Sequence, residues 1–178
     1  MTAGPDSSQL NFLSFVDFAV DRMGRECAQV DPAAMRLVLT LHRVTNALVY
    51  DLESSVHRPR GLSWPGFRVL FVLWLAGPGE AKRVAELSGM SRAAVSALVN
   101  TLERDGLVAR RQAEHDRRAV ELSLTPDGRV AITDAFLAHN GRERAWAATL
   151  TEAERGTLVT LLEKLAGGAG AAQARRRA

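Results

Sequence analysis

The sequence has one cysteine, Cys27, and few aromatic residues, which make up 6% of its 178 residues. A single cysteine excludes a disulfide within the chain and is typical of a reducing compartment. With so few aromatic side chains, the core must consist mostly of leucine, valine and alanine. No apolar run approaches the roughly 20 residues of a transmembrane helix, and the N-terminus lacks the basic and apolar regions of a signal peptide. We therefore expect a cytoplasmic protein without a membrane segment.

The net charge is small, +3 at pH 7. Arg175, Arg176 and Arg177 lie in a Gly/Ala-rich C-terminal segment and account for this excess. Composition alone therefore does not establish a nucleic-acid partner, and only the placement of charge along the chain can indicate one.

Motifs of catalysis and metal binding are also missing. The sequence has no glycine-rich phosphate loop, no paired carboxylates and no nucleophile with a matching base. The four histidines, His42, His57, His115 and His139, show no metal-ligand spacing. His42 falls on an apolar stripe, which is typical of a buried core histidine. We expect neither an enzyme nor a cofactor nor a metal.

Hydrophobic periodicity and capping signals predict helices over residues 12–23, 32–55, 64–76, 80–88, 92–105, 126–150 and 152–165, and strands over 107–111 and 119–124. A short helix, a turn with glycine and a capped second helix form a helix-turn-helix, and the following hairpin makes it winged. The predicted fold class is mainly α with a small two- or three-stranded β-wing and helical dimerisation arms.

The predicted organisation has four parts. These are an N-terminal extension with a short helix (1–30), a helical dimerisation region (31–60 and 126–166), a winged helix-turn-helix domain (61–125) and a flexible basic tail (167–178). Apolar stripes outside the winged domain predict dimerisation, because helices from both ends of the chain need a partner to cover them. The alternative is that these stripes pack within one chain.

The stretch MSRAAVSALVNTLERDGLVARR, residues 90–111, predicts a helix with two different faces. One face carries Val95, Leu98, Val99 and Leu102 at helical spacing. The other face is small and polar, with Ser91, Arg92, Ala93, Ser96 and Asn100. A helix that enters the major groove needs short side chains and few carboxylates, and arginine and asparagine can read guanine and adenine there. The alternative is that an alanine-rich surface only reflects an alanine-rich chain.

The predicted hairpin tip is basic. Its candidate DNA-contacting residues are His115, Asp116, Arg117 and Arg118. An arginine on a narrow tip can enter the minor groove, and Asp116 could hold Arg118 in an extended rotamer. Candidate phosphate contacts are Ser63, Arg110 and Arg111. The alternative is a solvated turn with a weak surface ion pair.

The segments LSGMSRAAVSALVNTLERDGLVAR and DRRAVELSLTPDG resemble the MarR family of bacterial transcription regulators, and the resemblance covers about residues 32–165. It implies a homodimer that binds pseudo-palindromic operators in double-stranded DNA. It implies base contacts from Ser91, Arg92, Ala93, Ser96 and Asn100, and a wing arginine at Arg118 positioned by Asp116. It also implies a small-molecule pocket between the dimer arms and the winged core. We expect the candidate pocket residues to be His42, Arg60, Trp64, Phe67 and Phe71, although these aromatic side chains could simply belong to the core.

Together these observations predict a sequence-specific DNA-binding regulator, a repressor released by a small-molecule effector. The alternative function is a redox or ligand sensor that acts through Cys27 or through protein–protein contacts. Cys27 has Arg22 and Arg25 nearby but Glu26 beside it, so a merely structural thiol is the simpler interpretation.

Overall fold

The computed structural model describes residues 10–12, 14–112 and 120–175. The chain divides into two compact units, Met1–Asp51 and Leu52–Ala178. Helices dominate both units, and the second also holds a small antiparallel sheet, so the predicted mainly helical class with a β-wing is confirmed. Within the described residues, no helix is long and apolar enough to cross a membrane.

The first unit consists of α1 (Ser14–Glu26) and nearly all of α2 (Pro32–Leu52). Asp31 caps α2, because its carboxylate accepts hydrogen bonds from the backbone N–H groups of Ala33 and Ala34 at 2.9 and 3.0 Å. This helix start is the one that the sequence predicts.

Contacts between α1 and α2 make the first unit compact. Val16 and Val20 of α1 are buried, and Asp17 of α1 forms an ion pair with Arg36 of α2. The predicted boundary between residues 30 and 31 therefore falls inside one compact unit.

A π-helical turn (Glu53–His57) and a 3-10 turn (Arg58–Arg60) follow α2. The 3-10 turn ends at Gly61, whose φ of 71° lies in the left-handed region that glycine adopts without steric cost. The sequence predicts a helix break here but not the π-helical turn, which brings His57 into the interior.

The core of the second unit is built around α3 (Trp64–Ala76). Ser63 caps this helix, because its hydroxyl oxygen accepts a hydrogen bond from the Gly66 N–H at 3.1 Å. Val69 and Leu70 are fully buried. The predicted central, buried helix over residues 64–76 is confirmed.

The helix-turn-helix consists of α4 (Ala81–Ser88) and α5 (Arg92–Arg104). Gly89, with a φ of 64°, ends α4 in the left-handed conformation. Val84 of α4 and Val95 of α5 are buried in the core that they share with α3. This shared core fixes the angle at which α5 reaches the surface.

Three strands form the sheet, in the order β1, β3, β2. Strands β2 (Val108–Gln112) and β3 (Val120–Leu124) pair antiparallel, with Val108 opposite Leu124. Strand β1 (Gly79–Glu80) pairs with the other edge of β3. The sequence places residue 80 in a helix and misses β1, because a two-residue strand carries no alternation of its own.

Helices α6 (Pro126–Ala147) and α7 (Glu152–Gly167) follow the sheet. Thr125 caps α6, and Thr151 forms the predicted capping box of α7 with Glu154. No residue of α7 is buried.

The C-terminal segment departs from its prediction. The sequence predicts a flexible tail over residues 167–178, but Ala169–Arg175 form a further helix, α8. Alanine, glutamine and arginine are good helix formers, and here they outweigh Gly170, which lies within the helix.

Candidate nucleic-acid interface

The outward face of α5 has the character that the sequence predicts. Its exposed side chains include Arg92, Ala93, Ser96 and Asn100. Val95, Val99 and Leu102 are buried on the opposite side, whereas Leu98 is only partly buried. The first carboxylate along this helix is that of Glu103, so most of its length presents no negative charge to an approaching phosphate.

Ser91 begins α5 at the protein surface. Its hydroxyl oxygen accepts a hydrogen bond from the Ala94 N–H at 3.2 Å, which fixes the first turn. The exposed N-terminus of a helix combines outward N–H groups with a partial positive charge, and both favour a phosphate.

Arg110 makes a contact that the sequence does not predict. Its guanidinium donates to Oδ1 of Asn100 at 2.6 Å and to Oε2 of Glu103 at 2.7 Å. This contact was missed because it depends on how strand β2 lies beside α5, which no local pattern encodes. Arg110, a candidate phosphate contact in the sequence, is therefore already bound to two side chains of α5.

Strands β2 and β3 form the hairpin that follows α5, and the residues of its tip are not among those described. In the pairing of β2 with β3, Arg111 lies opposite Glu121. Arg111 and Ser63, the two other candidate phosphate contacts, are both exposed. The predicted wing residues His115, Asp116, Arg117 and Arg118 lie outside the described residues.

An aromatic cluster occupies the region where α3, α6 and the π-helical turn meet. The His57 ring lies 4.4 Å from the Phe67 ring, centroid to centroid, and Trp64 stacks on His139 at 5.7 Å. Phe71 extends the cluster, 5.7 Å from Phe67. The structure thus brings together three of the predicted pocket residues, Trp64, Phe67 and Phe71. His57 and His139 belong to the same cluster, which the sequence did not predict.

Arg60 lies beside this cluster but already has partners. Its Nε donates to Oδ2 of Asp134 at 2.7 Å, and its Nη1 donates to the carbonyl oxygen of Val56 at 3.0 Å. Asp134 also lines an open groove of about 370 Å³ along α6. An anionic ligand of Arg60 would therefore compete with Asp134.

The two buried histidines form a chain of hydrogen bonds that ends at a carboxylate. Nε2 of His139 lies 3.1 Å from Oε1 of Glu143, and Nδ1 of His139 lies 3.3 Å from Nε2 of His57. Because a carboxylate only accepts, this geometry assigns the His139 proton to Nε2, and His57 then donates from its own Nε2. Nδ1 of His57 is left buried without a hydrogen-bond partner among the described residues.

His57 is held in its neutral form. Burial, followed by the proximity of His139 and of Arg60, lowers the pKa of His57 from 6.5 to about 4. Each of these causes disfavours a positive charge on the imidazole ring.

Two further candidates lie in the first unit. His42 is exposed, and its Nε2 lies 3.0 Å from Nδ2 of Asn46. The expectation of a buried His42 is therefore wrong, because the predicted stripe of α2 is largely uncovered: Val38 is 64% exposed. Cys27 is exposed as well. Across the described residues, no three metal-binding side chains come together at one place.

A helix-turn-helix followed by a β-hairpin, with an exposed carboxylate-poor second helix, defines the winged helix-turn-helix class of DNA-binding regulators. The family model described as MarR family matches residues 62–120. The chain is 33% identical over 133 residues to the HTH-type transcriptional regulator YwaE of Bacillus subtilis, covering 75% of this chain and 78% of YwaE. It belongs to the MarR family of transcription regulators.

Two further similarities agree with this assignment. The HTH-type transcriptional repressor YetL of Bacillus subtilis is 26% identical over 140 residues, covering 78% of this chain and 83% of YetL. The structure of BpsR from Bordetella bronchiseptica, whose DNA binding is regulated by 6-hydroxynicotinic acid, matches with a TM-score of 0.67 and 25% identity. That match covers 74% of this chain and 98% of BpsR.

Proposed function

We propose that this MarR-family regulator is a cytoplasmic repressor that binds a pseudo-palindromic operator as a homodimer and leaves it when a small aromatic acid binds. The outward face of α5 is the observation that carries the DNA-binding part of this proposal. The buried side of α5 fixes the helix in the core. The side chains on its exposed side are mostly small or polar, and none is a carboxylate before Glu103.

In this proposal the exposed face of α5, from Arg92 to Asn100, lies in the major groove. Arg92 donates to the N7 and O6 atoms of a guanine, and Ala93 lies against a thymine methyl group. Ser63 and Arg111 contact phosphates and set the register of the protein on the duplex. Arg118 enters the minor groove, held in place by Asp116, an assignment that the sequence alone supports.

Selection of bound sites from random duplex DNA tests the proposal. We expect an inverted repeat whose half-sites lie about one helical turn apart, roughly 10 base pairs. Arg92→Ala should relax the preference at one position of each half-site. Arg22→Ala, which removes an exposed charge from α1, serves as the control and should bind like the wild type. Selection without any repeat, or equal behaviour of the two variants, would contradict the proposal.

The uncovered apolar face of α7 supports the homodimer. Its exposed apolar side chains are Leu158, Val159, Leu161, Leu162 and Leu165, with exposed fractions between 37% and 54%. No residue of α7 is buried, so a second copy of the chain is needed to cover this apolar face. In the proposed homodimer, a two-fold axis relates the two copies and also pairs their recognition helices, α5 of each copy.

A pair of substitutions on α7 tests the dimer. Leu161→Glu places a carboxylate on the apolar face, and because Leu161 is 54% exposed the single chain should still fold. Thr160→Glu adds the same charge on the other face of the helix. We expect sedimentation to show a monomer only for Leu161→Glu, together with loss of operator binding. A dimer in both variants would contradict the proposed interface.

The aromatic cluster supports the small-molecule effector. Trp64, which is partly buried, stacks on the buried Phe67 with ring centroids 5.9 Å apart, and the Arg60 side chain is 31% exposed. These groups suit a flat ring that carries a carboxylate. The probe is 6-hydroxynicotinic acid, because its regulation of BpsR provides the precedent.

Displacement of operator DNA by this acid, and by benzoic acid as a simpler ring, tests the effector. We expect release of the wild-type protein and no release of Arg60→Ala. Asp134→Ala should release at lower acid concentration, because Asp134 competes for the same guanidinium. Equal response of the three proteins would contradict the assigned pocket.

A further inference from the structure

Arg110 joins the recognition helix to the hairpin through two side chains. Its Nη2 donates to Oδ1 of Asn100 at 2.6 Å, and its Nη1 donates to Oε2 of Glu103 at 2.7 Å. Asn100 and Glu103 lie nearly one turn apart on α5, whereas Arg110 belongs to β2. One planar guanidinium therefore spans the helix and the strand.

The chemistry of arginine determines which way the Asn100 amide faces. A guanidinium has only donors, so the amide atom 2.6 Å from Nη2 has to be the oxygen, since the amide nitrogen would place donor against donor. The Asn100 oxygen is thus turned towards β2. Its NH₂ group is turned away from β2, on a side chain that is exposed.

We propose that Arg110 is a specificity-determining positioning residue that makes Asn100 a hydrogen-bond donor to the bases. The inference rests on the proposed placement of α5 in the major groove. Paired readout of adenine needs the amide to donate to N7 and to accept from N6, and here the accepting oxygen is held by Arg110. Guanine presents two neighbouring acceptors, N7 and O6, to a group that only donates. The base expected opposite Asn100 therefore changes from adenine to guanine.

Arg110 also acts on Glu103, the one carboxylate within the sequence of α5. Glu103 and Arg110 form an ion pair, with exposed side-chain fractions of 39% and 38%. The pair places a positive charge beside a carboxylate that would otherwise repel the phosphates of the duplex. The same fork thus orients one side chain of the recognition face and screens another.

Selection from random duplexes, repeated with variants, tests this inference. The position read by Asn100 is the one whose preference disappears in Asn100→Ala. We expect the wild type to prefer guanine over adenine there by about tenfold, the discrimination of a good side-chain pair with a base. In Arg110→Ala the amide is free to rotate, and adenine should become nearly as acceptable as guanine at that position alone. The double variant should behave as Asn100→Ala does there.

Arg111→Ala is the control for charge, because it removes the same charge from the next residue of the same strand. As a proposed phosphate contact, Arg111 should contribute to affinity at all sequences, so this variant should bind more weakly without relaxing the Asn100 position. Arg110→Lys keeps the charge but loses the planar fork, so we expect it to relax the same position. Thermal denaturation followed by circular dichroism shows whether each variant is folded.

Three results would overturn the inference while leaving the proposed function intact. The first is a wild-type preference for adenine at the Asn100 position, and the second is an unchanged preference in Arg110→Ala and Arg110→Lys. The third is uniform weakening in Arg110→Ala at every position of the site, with the slope of log K against log salt shallower by about one, which identifies Arg110 as a phosphate contact. If the wild type selects no sequence, the proposed function fails and this inference fails with it.

Discussion

Gly128 occupies a position where any side chain would collide with backbone. A Cβ atom built on it lies 1.9 Å from the carbonyl oxygen of Leu107 and 2.8 Å from the carbonyl carbon. Even close carbon–oxygen contacts are about 3.3 Å, so Gly128→Ala requires a movement of more than 1 Å at this contact. The obstacle is main chain, which cannot turn aside as a flexible side chain can.

The cost of Gly128→Ala follows from what holds Leu107. Overpacking costs about 1–3 kcal/mol, and a backbone obstacle places this case at the upper end. The Leu107 carbonyl also accepts a hydrogen bond from the Thr125 N–H at 3.1 Å, and weakening that bond costs about 1 kcal/mol more. Because alanine is a better helix former than glycine, its helix propensity offsets up to about 1 kcal/mol of this destabilisation. We therefore expect a net destabilisation of about 3 kcal/mol.

The assay is thermal and urea denaturation of Gly128→Ala beside Gly141→Ala. Both glycines lie in α6, but a Cβ on Gly141 meets no neighbouring atom within 4 Å. A loss of about 3 kcal/mol lowers the melting temperature by about 6–12 °C in a domain of this size. The control should be as stable as the wild type or up to about 1 kcal/mol more stable. If Gly128→Ala melts at or above the wild-type temperature, the close approach of α6 to Leu107 does not exist.

Two other perturbations test the site and its support. His57 has a lowered pKa of about 4, so its contribution to stability is complete above pH 6.5 and is lost as the pH falls from 6.5 towards 4. Urea titrations should show that this loss, at most about 3 kcal/mol, is absent from His57→Phe, and an equal acid dependence would contradict the assignment. Ser91→Ala removes the cap of α5 and should lower the free energy of unfolding by about 1 kcal/mol, with weaker operator binding in gel shift. An unchanged denaturation midpoint would contradict the cap.

Local signals predicted most of the framework. The caps at Asp31, Ser63, Ser91, Thr125 and Thr151 were all visible in the sequence, and each is formed in the structure. Cap hydrogen bonds join residues two or three positions apart, so the sequence displays them directly. The buried face of α5 was predictable for the same reason, because helical periodicity is a local property.

Contacts between distant parts of the chain were not predictable. His57 and His139 are separated by 82 positions, and their pairing depends on the π-helical turn that brings His57 inside. The Arg110 contact with Asn100 depends on the placement of a strand beside a helix. His42 was misjudged because an apolar stripe shows that a face needs cover, but not whether the same chain provides it. The stripes on α2 and α7 remain largely uncovered in the single chain.

The first turn of α6 packs against the short segment that joins the recognition helix α5 to β2. Leu107 lies in the short connection between α5 and β2. Thr125, the cap of α6, forms two hydrogen bonds with this connection: its hydroxyl donates to the Gly106 carbonyl oxygen at 2.6 Å, and its N–H donates to the Leu107 carbonyl oxygen. With Gly128 against the same peptide, the start of α6 has no room to slide independently of this corner. His139 lies on α6 as well, within the aromatic cluster. We therefore expect a ligand that moves α6 at the cluster also to move the corner from which α5 and the hairpin emerge, because close-packed contacts transmit strain.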